Sequence, residues 1–148
     1  MNFYIALQII ISGIAATTVM TLFSYVVSGS TRELYKEPVL LTFILSSLKI
    51  EVSARTKIFL GWFLHYVIGT AFVLVYHVLW FYDIAEVSWL LALLFGAISG
   101  LIGIIGWILM FEIIPTKPNI DFDGYYLQLF VAHIIFAAVA FVVYRFFL

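Results

Sequence analysis

The chain has 148 residues, 66% of them hydrophobic and 10% charged, where soluble domains average about 25% charged residues, so a water-soluble globule is excluded and the bilayer is implied. It has no cysteine, which removes disulfides, thiolate metal sites and cysteine nucleophiles. The net charge of −1 gives no electrostatic reason to expect nucleic acid.

Four apolar runs are long enough to cross a membrane, at roughly residues 3–27, 58–82, 87–111 and 125–144. They leave no room for a soluble catalytic domain, so the chain leans away from being an enzyme. The first run carries no charge, and with no basic residue before it and no clear cleavage point it reads as a retained helix. On it Gly13, Thr17, Thr21, Ser24 and Ser28 form one stripe of small and hydroxylated residues, the kind that lets membrane helices approach.

The connection that follows is polar over Ser28–Glu37. It then turns apolar from Pro38 to about residue 50, too short a stretch to cross. A short interfacial helix is expected there, with Pro38 at its start, lying on the inner leaflet or capping the bundle; a gate or lid is the sharper alternative. In the second span His65, Gly69, Phe72 and Tyr76 share a face. The third carries a ridge of Gly96, Gly100, Gly103 and Gly106, which predicts close packing, with space for a flat ligand as the alternative. In the fourth, Tyr126, His133, Ala137, Ala140 and Tyr144 line up. The third connection, Asn119–Gly124, imitates the first half of an EF-hand loop, but the twelfth position is Phe130, so a turn and a helix cap are expected instead.

The expected architecture is therefore an all-α integral membrane protein, a four-helix bundle with an interfacial helix in loop one. Ile11-Ser-Gly13 recurs as Ile98-Ser-Gly100, and aligning His65 with His133 aligns Val75-Tyr76 with Val143-Tyr144, so the chain also reads as two tandem parallel hairpins. Arg32, Lys36, Lys49, Arg55, Lys57 and Lys117 fall in loops one and three, and only Arg145 lies on the other side. That bias places loops one and three in the cytoplasm and both termini outside. Tyr76, Trp80, Tyr82, Trp89 and Tyr144 are expected in an outer aromatic belt. Trp62, Tyr66, Trp107, Tyr125 and Tyr126 form an inner one, with His77 close to the outer interface.

His65 and His133 carry the one hint of chemistry. Each lies seven or eight residues into its span, about 10–12 Å below the cytoplasmic boundary and at one depth. Histidine in hydrocarbon is costly and marks a candidate site. Three accounts compete. In the first, each imidazole bonds a hydroxyl or carbonyl across the bundle, with Thr21 and Ser24 as natural partners. In the second, the pair are axial ligands of haem b, with Arg55, Lys57 and Lys117 meeting the propionates. In the third, a proton or metal path runs through Thr17, Thr21 and Ser24 with Glu112 as the carboxylate, although two histidines and one boundary glutamate are few ligands for a metal.

Gly13-Ile-Ala-Ala-Thr17-Thr-Val-Met20-Thr21 and Gly61-Trp62-Phe-Leu-His65-Tyr-Val-Ile-Gly69-Thr70, with His133 late in the chain, resemble an uncharacterised family of small four-span bacterial inner-membrane proteins. The resemblance runs over nearly the whole length and implies fold and topology, not activity. The functional expectation is a non-enzymatic binding or accessory subunit with a paired-histidine intramembrane site, in contact with the bilayer and with a larger complex or further copies of itself. A b-type haem electron carrier and a small transporter or channel are the alternatives.

Overall fold

The structure, a computed structural model, describes residues 3–147. Five helices follow one another: α1 (Phe3–Thr31), α2 (Glu37–Ser47), α3 (Ala54–Phe81), α4 (Trp89–Ile113) and α5 (Phe122–Arg145). There is no strand among the described residues. All but α2 are long and apolar enough to cross a bilayer, with mean hydropathy between 1.9 and 2.3. The protein is an all-α, multi-pass membrane bundle with a short helix in loop one, as expected.

The helices overrun the apolar stretches by a few residues, because the backbone ladder does not stop where hydrophobicity does. At 29 residues α1 is about 43 Å long. Its polar last turn is kept helical by Ser30 and Thr31, whose hydroxyls each donate at 2.9 Å to the carbonyls of Val26 and Val27. It stops where Arg32 turns to a φ of 61°. Ser53 and Ser88 cap α3 and α4 by accepting the N–H of Thr56 and Leu91. Asp121 precedes α5 without a side-chain cap bond. Its carboxylate instead accepts the Tyr35 hydroxyl at 3.1 Å.

Helix α5 packs along both α1 and α4, while α3 packs along α1 and carries α2 on its flank. Each hairpin of the suggested repeat is thus packed on itself, α1 on α3 and α4 on α5, with α1 against α5 joining them. The backbones of α3 and α4 diverge. They meet through side chains at the loop-two end, where Tyr76 stacks on Phe95 and bonds Ser99 at 2.6 Å. Loops one and three share the opposite end, tied by the Tyr35–Asp121 bond and by the Asp121 N–H donating to Glu33 at 3.3 Å. The chain ends meet on the loop-two side, with the Tyr4 hydroxyl donating to the Phe147 carbonyl at 3.2 Å.

The belt assignment needs correcting. Tyr76, Trp80, Trp107, Tyr125 and Tyr144 are buried in the bundle; Tyr76 and Trp80 fill the space between the diverging α3 and α4, against Phe95. Tyr82 and Trp89 do face outward. His77 is also buried, with Nδ1 2.7 Å from the Tyr144 hydroxyl of α5.

The glycine ridge of α4 serves two purposes. A Cβ on Gly96 would lie 2.7 Å from Ile134 Cα, and one on Gly100 3.2 Å from Phe130 Cα, so these two let α4 close on the α5 backbone. A Cβ on Gly106 would meet nothing within 4 Å. Gly96→Ala should therefore cost about 1–3 kcal/mol, whereas Gly106→Ala should be neutral or add up to about 1 kcal/mol through helix propensity. Thermal unfolding of the two variants in detergent should shift in opposite directions from the parent, or at least leave Gly106→Ala unharmed.

Candidate functional site

The polar stripe of α1 supplies the first half of the site. The Thr21 hydroxyl lies 2.7 Å from the Thr17 carbonyl and 2.8 Å from His65 Nε2; where it donates its one proton to the carbonyl, its oxygen accepts from Nε2. Neutral His65 then carries its proton on Nε2 and leaves Nδ1 as a lone pair. On α5, His133 Nδ1 lies 2.9 Å from the Leu129 carbonyl, which only a donor can satisfy. Its lone pair is then on Nε2.

Seven residues after Thr17 the stripe meets a carboxyl group. Ser24 donates to Glu37 Oε1 at 2.7 Å and accepts from the Gln128 amide at 2.6 Å, and that amide also reaches Glu37 Oε1 at 3.5 Å. Glu37 is only 1% exposed, and its Oε2 has no hydrogen-bond partner among the described residues. Desolvation pushes its carboxyl from an ordinary 4.5 up to about 7, against the bonds from Ser24, its own backbone and Gln128, which lower it. Loop one holds this group because Glu37 opens α2 just before Pro38, where a helix N-terminus favours negative charge.

Between α3 and α4 lies a cavity of about 210 Å³ lined by Thr17, Glu37, His65 and His133 among apolar side chains. Leu41 and Glu37 of α2 form its floor, and Met20, Phe72, Trp107, Met110 and Phe136 line its walls. Ile68 and Ile102, 44% and 52% exposed, also line it. They mark a mouth that opens sideways between α3 and α4 toward lipid.

Both predicted histidines therefore face one space, and Thr21 is the partner expected for His65. Ser24 instead holds Glu37. Glu112, expected as the carboxylate of the path, is a correction: it is 63% exposed at the far end of α4 and pairs with Lys117 at 2.5 Å. That contact also occupies Lys117, while Arg55 and Lys57 stand on the first turn of α3 outside the cavity lining. Glu37, which reads in sequence as the end of a polar loop, takes the place expected of Glu112.

The arrangement does not fit a bis-histidine haem. His65 Nε2 is engaged by Thr21. The α4 backbone at Gly103 lies against the edge of His133, where a Cβ would come within 3.0 Å of Nε2. Only the missing side chain leaves that edge open, enough for a small group but not for a macrocycle without moving the helix. The volume is also below the roughly 300–1,000 Å³ that drug-sized ligands need. No cluster of three or more metal-ligating side chains occurs among the described residues.

Fold and site together define a multi-pass membrane protein with a small side-opening cavity, mostly apolar and with a few polar groups. Compared with protein-family models, curated proteins and solved structures, the chain matches none, so the family resemblance rests on the quoted residues alone.

Because the folded state holds the Glu37 proton up to about 7 and an unfolded chain to 4.5, the folded form binds more protons between these values. This contribution is then fully present below pH 4.5, falls as pH rises and levels off above 7, by on the order of 3 kcal/mol in total. Because the histidines titrate in the same window, it is read as a difference: relative to Glu37→Gln, the parent should lose stability between about pH 4.5 and 7 in thermal unfolding in detergent.

Proposed function

We propose that the chain is a binding protein of the bacterial inner membrane. It takes a small, largely apolar molecule from the bilayer into the cavity between α3 and α4. The observation that carries this is the cavity itself: apolar and aromatic walls with a few convergent polar groups are what ligand sites look like. Gly106 adds support, since a helix glycine with no packing role costs stability and keeps volume open. Six of the seven basic residues at the loop-one and loop-three end support placing that end in the cytoplasm and the termini outside.

Binding is favoured over catalysis by the polarity of the Thr21–His65 bond. His65 donates to Thr21 rather than accepting its proton, the reverse of what activates a nucleophile. A channel has less support, because Tyr76, Trp80 and Phe95 stack together across the loop-two end. An accessory role within a larger complex is compatible with the same site.

A fluorinated probe of suitable size, 1-fluoro-4-propylbenzene, tests this in nanodiscs by 19F NMR. The parent protein should give a bound resonance distinct from probe in lipid, and Gly106→Leu, which fills the cavity, should remove it while keeping the fold. No bound resonance with the parent would overturn the proposal.

A further inference from the structure

Building on the binding function above, we propose that the occupant is a small aryl-alkyl ammonium ion, held as the counter-ion of Glu37 and taken up in exchange for the proton that Glu37 otherwise carries. Three observations lead there, each from a different part of the site.

The first is hydrogen-bond polarity. With His65 protonated on Nε2 and His133 on Nδ1, the free atoms are His65 Nδ1 and His133 Nε2, both acceptors. The Glu37 carboxylate is a third acceptor; its Oε2 and the Thr17 hydroxyl are unpartnered and sealed just behind the cavity wall, so an occupant reaches them by a side-chain shift. An ammonium group has three N–H donors, and acceptors on one small cavity suit it.

The second is charge. The groups facing Glu37 are Tyr25 of α1, His65 of α3, and Tyr125 and His133 of α5. The cavity residues of α4 (Ile102, Gly103, Gly106, Trp107 and Met110) do not titrate. No lysine or arginine lines the cavity. The adjacent Lys36 ammonium lies 4.8 Å over the Tyr25 ring and forms no ion pair with Glu37. A buried carboxylate without a cation is strongly disfavoured, so either a proton or a bound cation must neutralise it. An anionic occupant is excluded by the same reasoning, and a neutral one fits only with Glu37 keeping its proton.

The third is the wall. Phe72, Trp107 and Phe136 surround the space, and aromatic faces attract organic cations. A cavity of roughly 150 Å³ holds benzene, so about 210 Å³ admits one ring with a short chain. The exchange balances simply: protein carboxylic acid plus ligand ammonium gives the carboxylate–ammonium pair plus one proton released to water.

The test compares 4-fluorophenethylammonium with its neutral isostere 1-fluoro-4-propylbenzene by 19F NMR, using full-length protein in phosphatidylcholine nanodiscs. At about pH 8 the ammonium should bind at least about tenfold more tightly than the isostere, the effect expected of one desolvated charge pair. That preference should shrink at about pH 5 and vanish in Glu37→Gln, while propylbenzene binding is unchanged by either. Should Glu37→Gln fail to fold, proton release on mixing ammonium with the parent protein at about pH 7, read by an indicator dye, supplies the decisive measurement. Release of a substantial fraction of one proton per bound ammonium supports the exchange. Equal affinity for the two probes at about pH 8, a preference that survives Glu37→Gln, or binding without proton release would overturn it. Binding of propylbenzene with no preference for the ammonium sinks this inference alone; binding of neither probe sinks the binding function as well.

Discussion

Hydrocarbon offers a polar group no water to turn to, so each must find its partner inside the protein, and the contact among Ser24, Glu37 and Gln128 shows how far that shapes this chain. Its three members come from α1, α2 and α5. Glu37 would be free on the surface if α2 lay flat on the inner leaflet. Instead its carboxyl is drawn to the hydroxyl and amide already present between α1 and α5, and the helix is carried in behind it. The short helix of loop one thereby becomes the floor of the cavity, where it would otherwise be a float at the interface.

The same rule explains how α3 stays in place. Its spanning window is the least buried of the four, so packing alone holds it weakly. It makes side-chain hydrogen bonds to each spanning neighbour: Tyr66 to Thr18 and His65 to Thr21 on α1, Tyr76 to Ser99 on α4, and His77 to Tyr144 on α5. Bonds of this kind contribute modestly in membranes, about 0.6 kcal/mol on average, but they are directional. They position a helix whose backbone stands apart from that of α4, which is what leaves the cavity open.

Much of the fold was legible from residue pattern. Four long apolar runs and Pro38 specify helices whose number and order follow from length alone. The stripe Gly13, Thr17, Thr21, Ser24 and Ser28 is buried throughout, and His65 and His133 do line one space. What escaped was contact across helices. Glu37 reads as loop because it sits in a polar run, and nothing local says that Gln128, 91 residues later, will face it. Glu112 reads as an intramembrane carboxylate because it ends an apolar span, yet that helix end is exposed and offers Lys117. The interfacial aromatic rule failed for Tyr76 and Trp80 because a diverging helix pair needs rings inside.

The sideways mouth has a consequence of its own. The cavity runs from about the middle of α3 and α4, at Ile68 and Ile102, toward the end that holds Glu37 and Met110. On the proposed binding function it would therefore draw on one leaflet only. Occupancy would then be set by how much of a molecule dissolves in that leaflet, not by its concentration in the aqueous phase. Two compounds with equal contacts inside the bundle would thus fill it to different extents if one flips slowly across the bilayer and the other quickly.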